Sequence, residues 1–135
     1  MKTKYLIFSI AFILILSCQR KNDQLNEFII NTFPDIESGN VLVLPGSGCS
    51  GCISDAENSI DSLLKTNNYK IIFCKIQSLK TLKNRLRDKR ISFDDPNILI
   101  DTADNYIKNS VKYKDFWSYP THIVVKNRVI TEITK

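Results

Sequence analysis

Val41-Leu42-Val43-Leu44 is an unbroken apolar run closed by Pro45-Gly46, and it predicts a short strand, Asn40 to Leu44, buried on both faces. Everything after it alternates. Ile53, Ala56, Ile60, Leu63 and Leu64 fall at helical spacing, with Asn67-Asn68 as the stop. Tyr69 to Ile76 is a second β-rich run, and Leu79, Leu82 and Leu86 set the period of a second helix. Asn97 to Ile100 is a third short strand after Pro96, and Asp101-Thr102 offers a cap for a helix to about Ser110. Strands that alternate with helices predict an α/β layer structure with parallel pairing. The end differs: Thr121 to Lys126 and Arg128 to Thr134 leave no room for a helix between them and predict an antiparallel hairpin.

Cys49-Ser50-Gly51-Cys52 lies between the first strand and the first helix. At a helix start the unpaired N–H groups and the macrodipole place about half a positive charge beside the first sulfur. That field favours thiolate and lowers a cysteine pKa from about 8.5 toward neutrality or below. Cys49 is therefore the candidate nucleophile, and Cys52, one turn later on the same side, the candidate resolving thiol.

The chain begins with a basic start, Lys2 and Lys4, and an apolar run from Tyr5 to Leu16. A dozen apolar residues fall short of the roughly 20 that span a bilayer, so residues 1–17 are expected to be an export signal. Ile15-Leu16-Ser17-Cys18 resembles the lipobox of bacterial lipoprotein signal peptides, which implies acylation of Cys18 and a membrane tether facing the periplasm or exterior. Residues 18–38 are then expected to be tether and a short helix ended by Pro34, and residues 39–135 the folded domain.

Without residues 1–17 there remain 17 basic and 14 acidic residues, a net charge of +3. That is too mild for a nucleic-acid partner. The basic run Lys80 to Arg90 is expected to be the solvated face of the second helix. Cys74, mid-strand, is expected to pack as a small apolar residue. Asp55 and Glu57 are expected to complement the helix dipole. In the aromatic cluster Phe116, Trp117 and Tyr119, one of the first two is expected in the core and Tyr119 near the cysteines.

An α/β unit with Cys-x-x-Cys at its first strand–helix junction and a late hairpin beginning Tyr119-Pro120-Thr121 resembles the thioredoxin superfamily. Over residues 39–134 it looks most like the membrane-anchored thiol-disulfide oxidoreductases of the bacterial envelope. The resemblance implies a mixed sheet flanked by helices and a cis Pro120 against the cysteines. It implies Tyr119 and Thr121 as substrate contacts and a disulfide-reductase direction. Glutathione, flavin and nicotinamide motifs are absent, so no cofactor is expected; the partners are a protein disulfide and a protein reductant in the envelope.

Three departures accompany it. Gly48 stands where the family has tryptophan, Val41 to Leu44 carries no carboxylate, and no C-terminal helix follows the hairpin. Either the N-terminal helix or a partner is then expected to cover one sheet face. Two other functions fit the same residues: a partner-binding lipoprotein with a structural Cys49–Cys52 disulfide, and a copper-handling protein using the cysteines with His122. A metal site is not expected, because one histidine with two cysteines falls short of the usual ligand count.

Overall fold

A computed structural model describes residues 23–135, so the segment expected to be an export signal, residues 1–17, and the expected acylation site Cys18 lie outside the described residues. The elements in chain order are α1 (Asp23–Thr32), β1 (Gly39–Pro45), α2 (Ser50–Leu64), β2 (Tyr69–Cys74), α3 (Leu79–Asp88), β3 (Ile98–Ile100) and α4 (Asn105–Asn109). A 3₁₀ helix (Val111–Phe116) then leads to β4 (Thr121–Lys126) and β5 (Val129–Thr134). The strands form one mixed sheet in the order β3-β2-β1-β4-β5. β1 pairs parallel with β2 and antiparallel with β4, which places the apolar run Val41–Leu44 at the centre. The fold class is therefore a mixed α/β sheet flanked by helices and ending in an antiparallel hairpin, with no helix after β5 among the described residues.

Alternation along β1 explains why its run is apolar on both sides. Val41 and Val43 face a core built with Leu25 and Ile29 of α1 and Phe33 just after it, with Ile72 and Cys74 of β2, and with Ile123 and Val125 of β4. Leu42 and Leu44 face a second core with Ile60 of α2, Ile71 and Phe73 of β2, and Leu82 and Leu86 of α3. Each face of β1 is thus sealed by a different set of helices.

The segment expected as a tether helix contributes to the first of these cores. Leu25, Ile29 and Phe33 recur every four residues, and Ile29 is fully buried. Side chains and backbone fasten it further: Ile130 N–H donates to Asn26 Oδ1 at 2.7 Å, and Arg128 N–H donates to the Glu37 carbonyl at 2.7 Å. This helix seals the sheet face that Val41 and Val43 present.

Other departures from the sequence reading are local. Arg128 belongs to the turn, not to β5, because Asn127 and Arg128 both take positive φ (50° and 61°) in a two-residue hairpin turn. The helix expected from Asp101 starts at Asn105. Asp101 still caps it, its carboxylate accepting from Asn105 N–H at 3.0 Å and Tyr106 N–H at 2.7 Å. Leu79, aligned with Leu82 and Leu86 by spacing, stays 47% exposed because it opens α3 beyond the edge of the core.

Glu57 is not a dipole-complementing surface residue. It is buried, and its Oε1 lies 3.0 Å from Arg85 Nη2 of α3, an ion pair that ties the two helices on this face together. The cost of desolvating the carboxylate is offset by the guanidinium, so removing Arg85 alone leaves an uncompensated charge.

Candidate functional site: the Cys49–Cys52 pair

β1 ends at Pro45, the chain crosses Gly46–Gly48, and Cys49 becomes the N-cap of α2 with φ −66° and ψ 94°. Its carbonyl accepts from Ile53 N–H at 2.9 Å, closing the first helical turn. Cys49 and Cys52 are joined in a disulfide with Cα atoms 5.4 Å apart. The spacing of three residues brings both sulfurs to one side of the helix start, as expected of that geometry. Cys52 is exposed and Cys49 half-buried, so the bond meets solvent.

The loop before β4 holds the pair from the other side. Cys49 N–H donates to the Ser118 carbonyl at 2.9 Å, and Tyr119 N–H donates to the Phe116 carbonyl at 2.9 Å. This contact explains Gly48. It adopts φ +146°, and a Cβ there would lie 2.1 Å from the Ser118 carbonyl oxygen. No side chain fits, tryptophan least of all. Gly46 is similarly confined, since a Cβ would lie 2.5 Å from the Lys75 carbonyl oxygen.

Pro120 lies in this loop but corrects the expectation of a cis bond: the described residues contain no cis peptide bond. An X–Pro bond prefers trans by about 0.5–1 kcal/mol. The loop reaches Cys49 through Ser118 with that default isomer. Thr121 also departs from its expected role as a substrate contact. It is 1% exposed and its hydroxyl donates to the Tyr119 carbonyl at 3.3 Å, so the first residue of β4 is spent on packing. Tyr119 is 41% exposed beside the pair. Trp117, expected with Phe116 as the core candidate, is half-buried and packs against the core cluster, its indole N–H donating to Ser110 Oγ at 3.0 Å.

Lys75 connects these loops. At φ +51°, it donates its N–H to Asp104 Oδ1 at 2.8 Å and its ammonium to the Trp117 carbonyl at 3.3 Å. Nothing in the sequence singled it out, because its partners stand 29 and 42 residues away. His122 lies at the register position between Leu42 and Thr134. Among the described residues, no three His, Cys, Asp or Glu side chains gather as a metal-binding group. A cleft of about 120 Å³ runs between Gly46, the end of β2 and α3, and neither Cys49 nor Cys52 lines it.

Cys74 is a buried free thiol in the α1-side core, as expected. Burial, with smaller contributions from Asp101 and Asp104, pushes its pKa from 9.0 up to about 12. Burial also pushes up the Tyr106 phenol nearby. A raised pKa means that the folded state keeps a proton the unfolded state releases. Stability is therefore complete below about pH 9 and is lost as pH rises toward about 12. Urea unfolding between about pH 9 and 10 should show a loss approaching 1.4 kcal/mol per pH unit. Cys74→Ala should reduce that slope to the part Tyr106 contributes, because a phenol titrates near 10 in the unfolded chain and higher in the fold.

Among the described residues, no helix is long and apolar enough to cross a membrane. Comparison of the chain with protein-family models, with curated proteins and with solved structures finds no match.

Proposed function

We propose that the chain performs thiol-disulfide exchange in the bacterial cell envelope, as a thioredoxin-like protein tethered through a lipid on Cys18. The observation that carries this reading is the solvent-facing Cys49–Cys52 disulfide at the N-terminus of α2. Support also comes from the central position of β1, which delivers the pair to the carboxyl end of a parallel strand pair, and from the Ser118 contact.

In the reductase direction, the Cys49 thiolate attacks one sulfur of a substrate disulfide, and the other substrate sulfur leaves as thiolate and takes a proton. Cys52, deprotonated, then attacks the Cys49 sulfur of the mixed disulfide. The second substrate thiolate departs, leaving the pair oxidised by two electrons and the substrate reduced by two. A protein dithiol from the envelope returns the pair to the reduced state. The half charge of the helix start favours the Cys49 thiolate at the beginning and end of the cycle. The bond meets solvent and forms no wall of the cleft beside α3, an arrangement suited to a protein disulfide as substrate.

The trans Tyr119–Pro120 bond favours a second reading, a partner-binding lipoprotein whose disulfide is structural. A redox titration separates the two. An exchanging pair titrates at about −120 to −270 mV, whereas structural disulfides lie below about −300 mV. Catalysis is tested by reduction of insulin disulfides with dithiothreitol. Cys49→Ser should fall to the background rate, while Cys52→Ser should accumulate a mixed disulfide on Cys49. Equal rates for wild type and Cys49→Ser would remove the exchange reading.

A further inference from the structure

Beside the pair, ammonium groups rest over a run of aromatic rings. The Tyr113 and Phe116 centroids are 6.2 Å apart, and Lys112 Nζ lies 5.5 Å from the Tyr113 centroid. Lys135 Nζ sits 5.1 Å from the Phe116 centroid and 4.9 Å from that of Tyr119. Tyr119 is exposed, and its neighbour Ser118 accepts the Cys49 N–H bond, so the strip begins at the disulfide.

The cations of this strip lack carboxylate partners. The ion pairs among the described residues are Lys65–Asp61, Lys70–Asp35 and Arg85–Glu57, none of which includes Lys112, Lys114 or Lys135. Between residues 105 and 121 Asp115 is the one acid, against Lys108, Lys112 and Lys114. A lysine over a ring gains about 0.5–1 kcal/mol at an exposed site. Its ammonium has three donors, and those turned away from the ring remain available to an oxygen anion.

We propose that the strip Lys112–Tyr113–Phe116–Lys135–Tyr119 docks substrate polypeptides that carry acidic residues next to their disulfide. This rests on the exchange reading and adds the substrate's charge class to it. Carboxylates on the incoming chain meet ammonium groups already held in place by the rings, and an apolar or aromatic substrate residue meets the exposed face of Tyr119. The field also acts before contact, raising the rate at which acidic chains reach the pair.

The test uses two peptides with the same disulfide loop, flanked in one by aspartates and in the other by lysines. Each is mixed with the reduced protein, whose dithiol supplies the two electrons, and the second-order rate of peptide reduction is followed. The acidic peptide should react about tenfold faster at low salt, with the advantage shrinking below about twofold at an ionic strength near 0.5 M. Lys112→Glu combined with Lys135→Glu should reverse the order of the two peptides. Equal rates at low salt would overturn the docking strip and leave exchange intact. Equal rates together with binding of phosphatidylglycerol vesicles that depends on Lys112 and Lys135 would assign the strip to a membrane surface instead. No reaction with either peptide would remove the exchange reading. The strip would then stand or fall on titration of Cys52→Ser protein with the acidic peptide, its cysteines replaced by serine: shifts of the Tyr119 ring resonances support it, and none overturns it.

Discussion

Replacing Gly48 by alanine is expected to destabilise the protein by about 3 kcal/mol and to disturb the disulfide region. Two physical effects add. The first is backbone strain, because φ +146° is a conformation that residues with a Cβ rarely adopt, at a cost of order 1–3 kcal/mol. The second is collision: the new Cβ would lie 2.1 Å from the Ser118 carbonyl oxygen and 2.7 Å from its carbon. Both atoms are backbone, so no side-chain rotation relieves them. The loop must retreat, and the hydrogen bond from Cys49 N–H to the Ser118 carbonyl is lost with it. Gly51→Ala is the matched control, since a Cβ there meets nothing within 4 Å. Gly51 lies inside α2, where alanine is favoured over glycine by about 0.8–1 kcal/mol, so that variant should be neutral or stabilised. Denaturant midpoints of the two variants, measured side by side, check the claim. Similar losses at both positions would show that any side chain near the cysteines is harmful, independent of the Ser118 contact.

The second large effect concerns α1. Ile29→Ala should cost about 3–4 kcal/mol, because a fully buried side chain is truncated in a core formed with Val41, Val43, Ile72, Ile123 and Val125. For a domain of ordinary stability, about 5–15 kcal/mol, this is a large fraction. If the helix were only a spacer between a lipid and the domain, the same change would cost no more than about 0.5 kcal/mol, as surface substitutions do. Urea unfolding distinguishes these outcomes: the midpoint should fall while the slope stays constant.

Much of the fold can be read along the chain because its core strands carry an uninterrupted local signal. Val41–Leu44 had to be central, since four consecutive apolar residues alternate between two faces and both need cover. The β-rich run Tyr69–Ile76 anticipated β2, which ends at Cys74, and Asn97–Ile100 anticipated β3, while the helices between them followed from three- and four-residue spacing. What escaped the reading depended on partners distant in sequence. Glu57 looks like any acid near a helix start, and only the packing of α3 against α2 brings Arg85 to it. The short helix before Pro34 was legible from Leu25, Phe28, Ile29 and Phe33, but its fastening to the hairpin through Asn26, Pro34 and Glu37 was not.

The candidate site divides along the same line. Two cysteines three residues apart between a strand and a helix determine, without any structure, a pair able to close a disulfide at a helix N-terminus. Local covalent geometry and helical periodicity suffice for that. Only the tertiary structure decided what surrounds the pair: the Ser118 carbonyl on Cys49, the trans bond at Pro120, the burial of Thr121, and the lysine-bearing aromatic strip that begins at Tyr119. Those features arise where β4 pairs antiparallel with β1 and brings residues 118–121 back to a loop some 70 positions earlier. A contact of that separation leaves no periodic trace in the sequence, because it is set by how the sheet closes and not by neighbours along the chain.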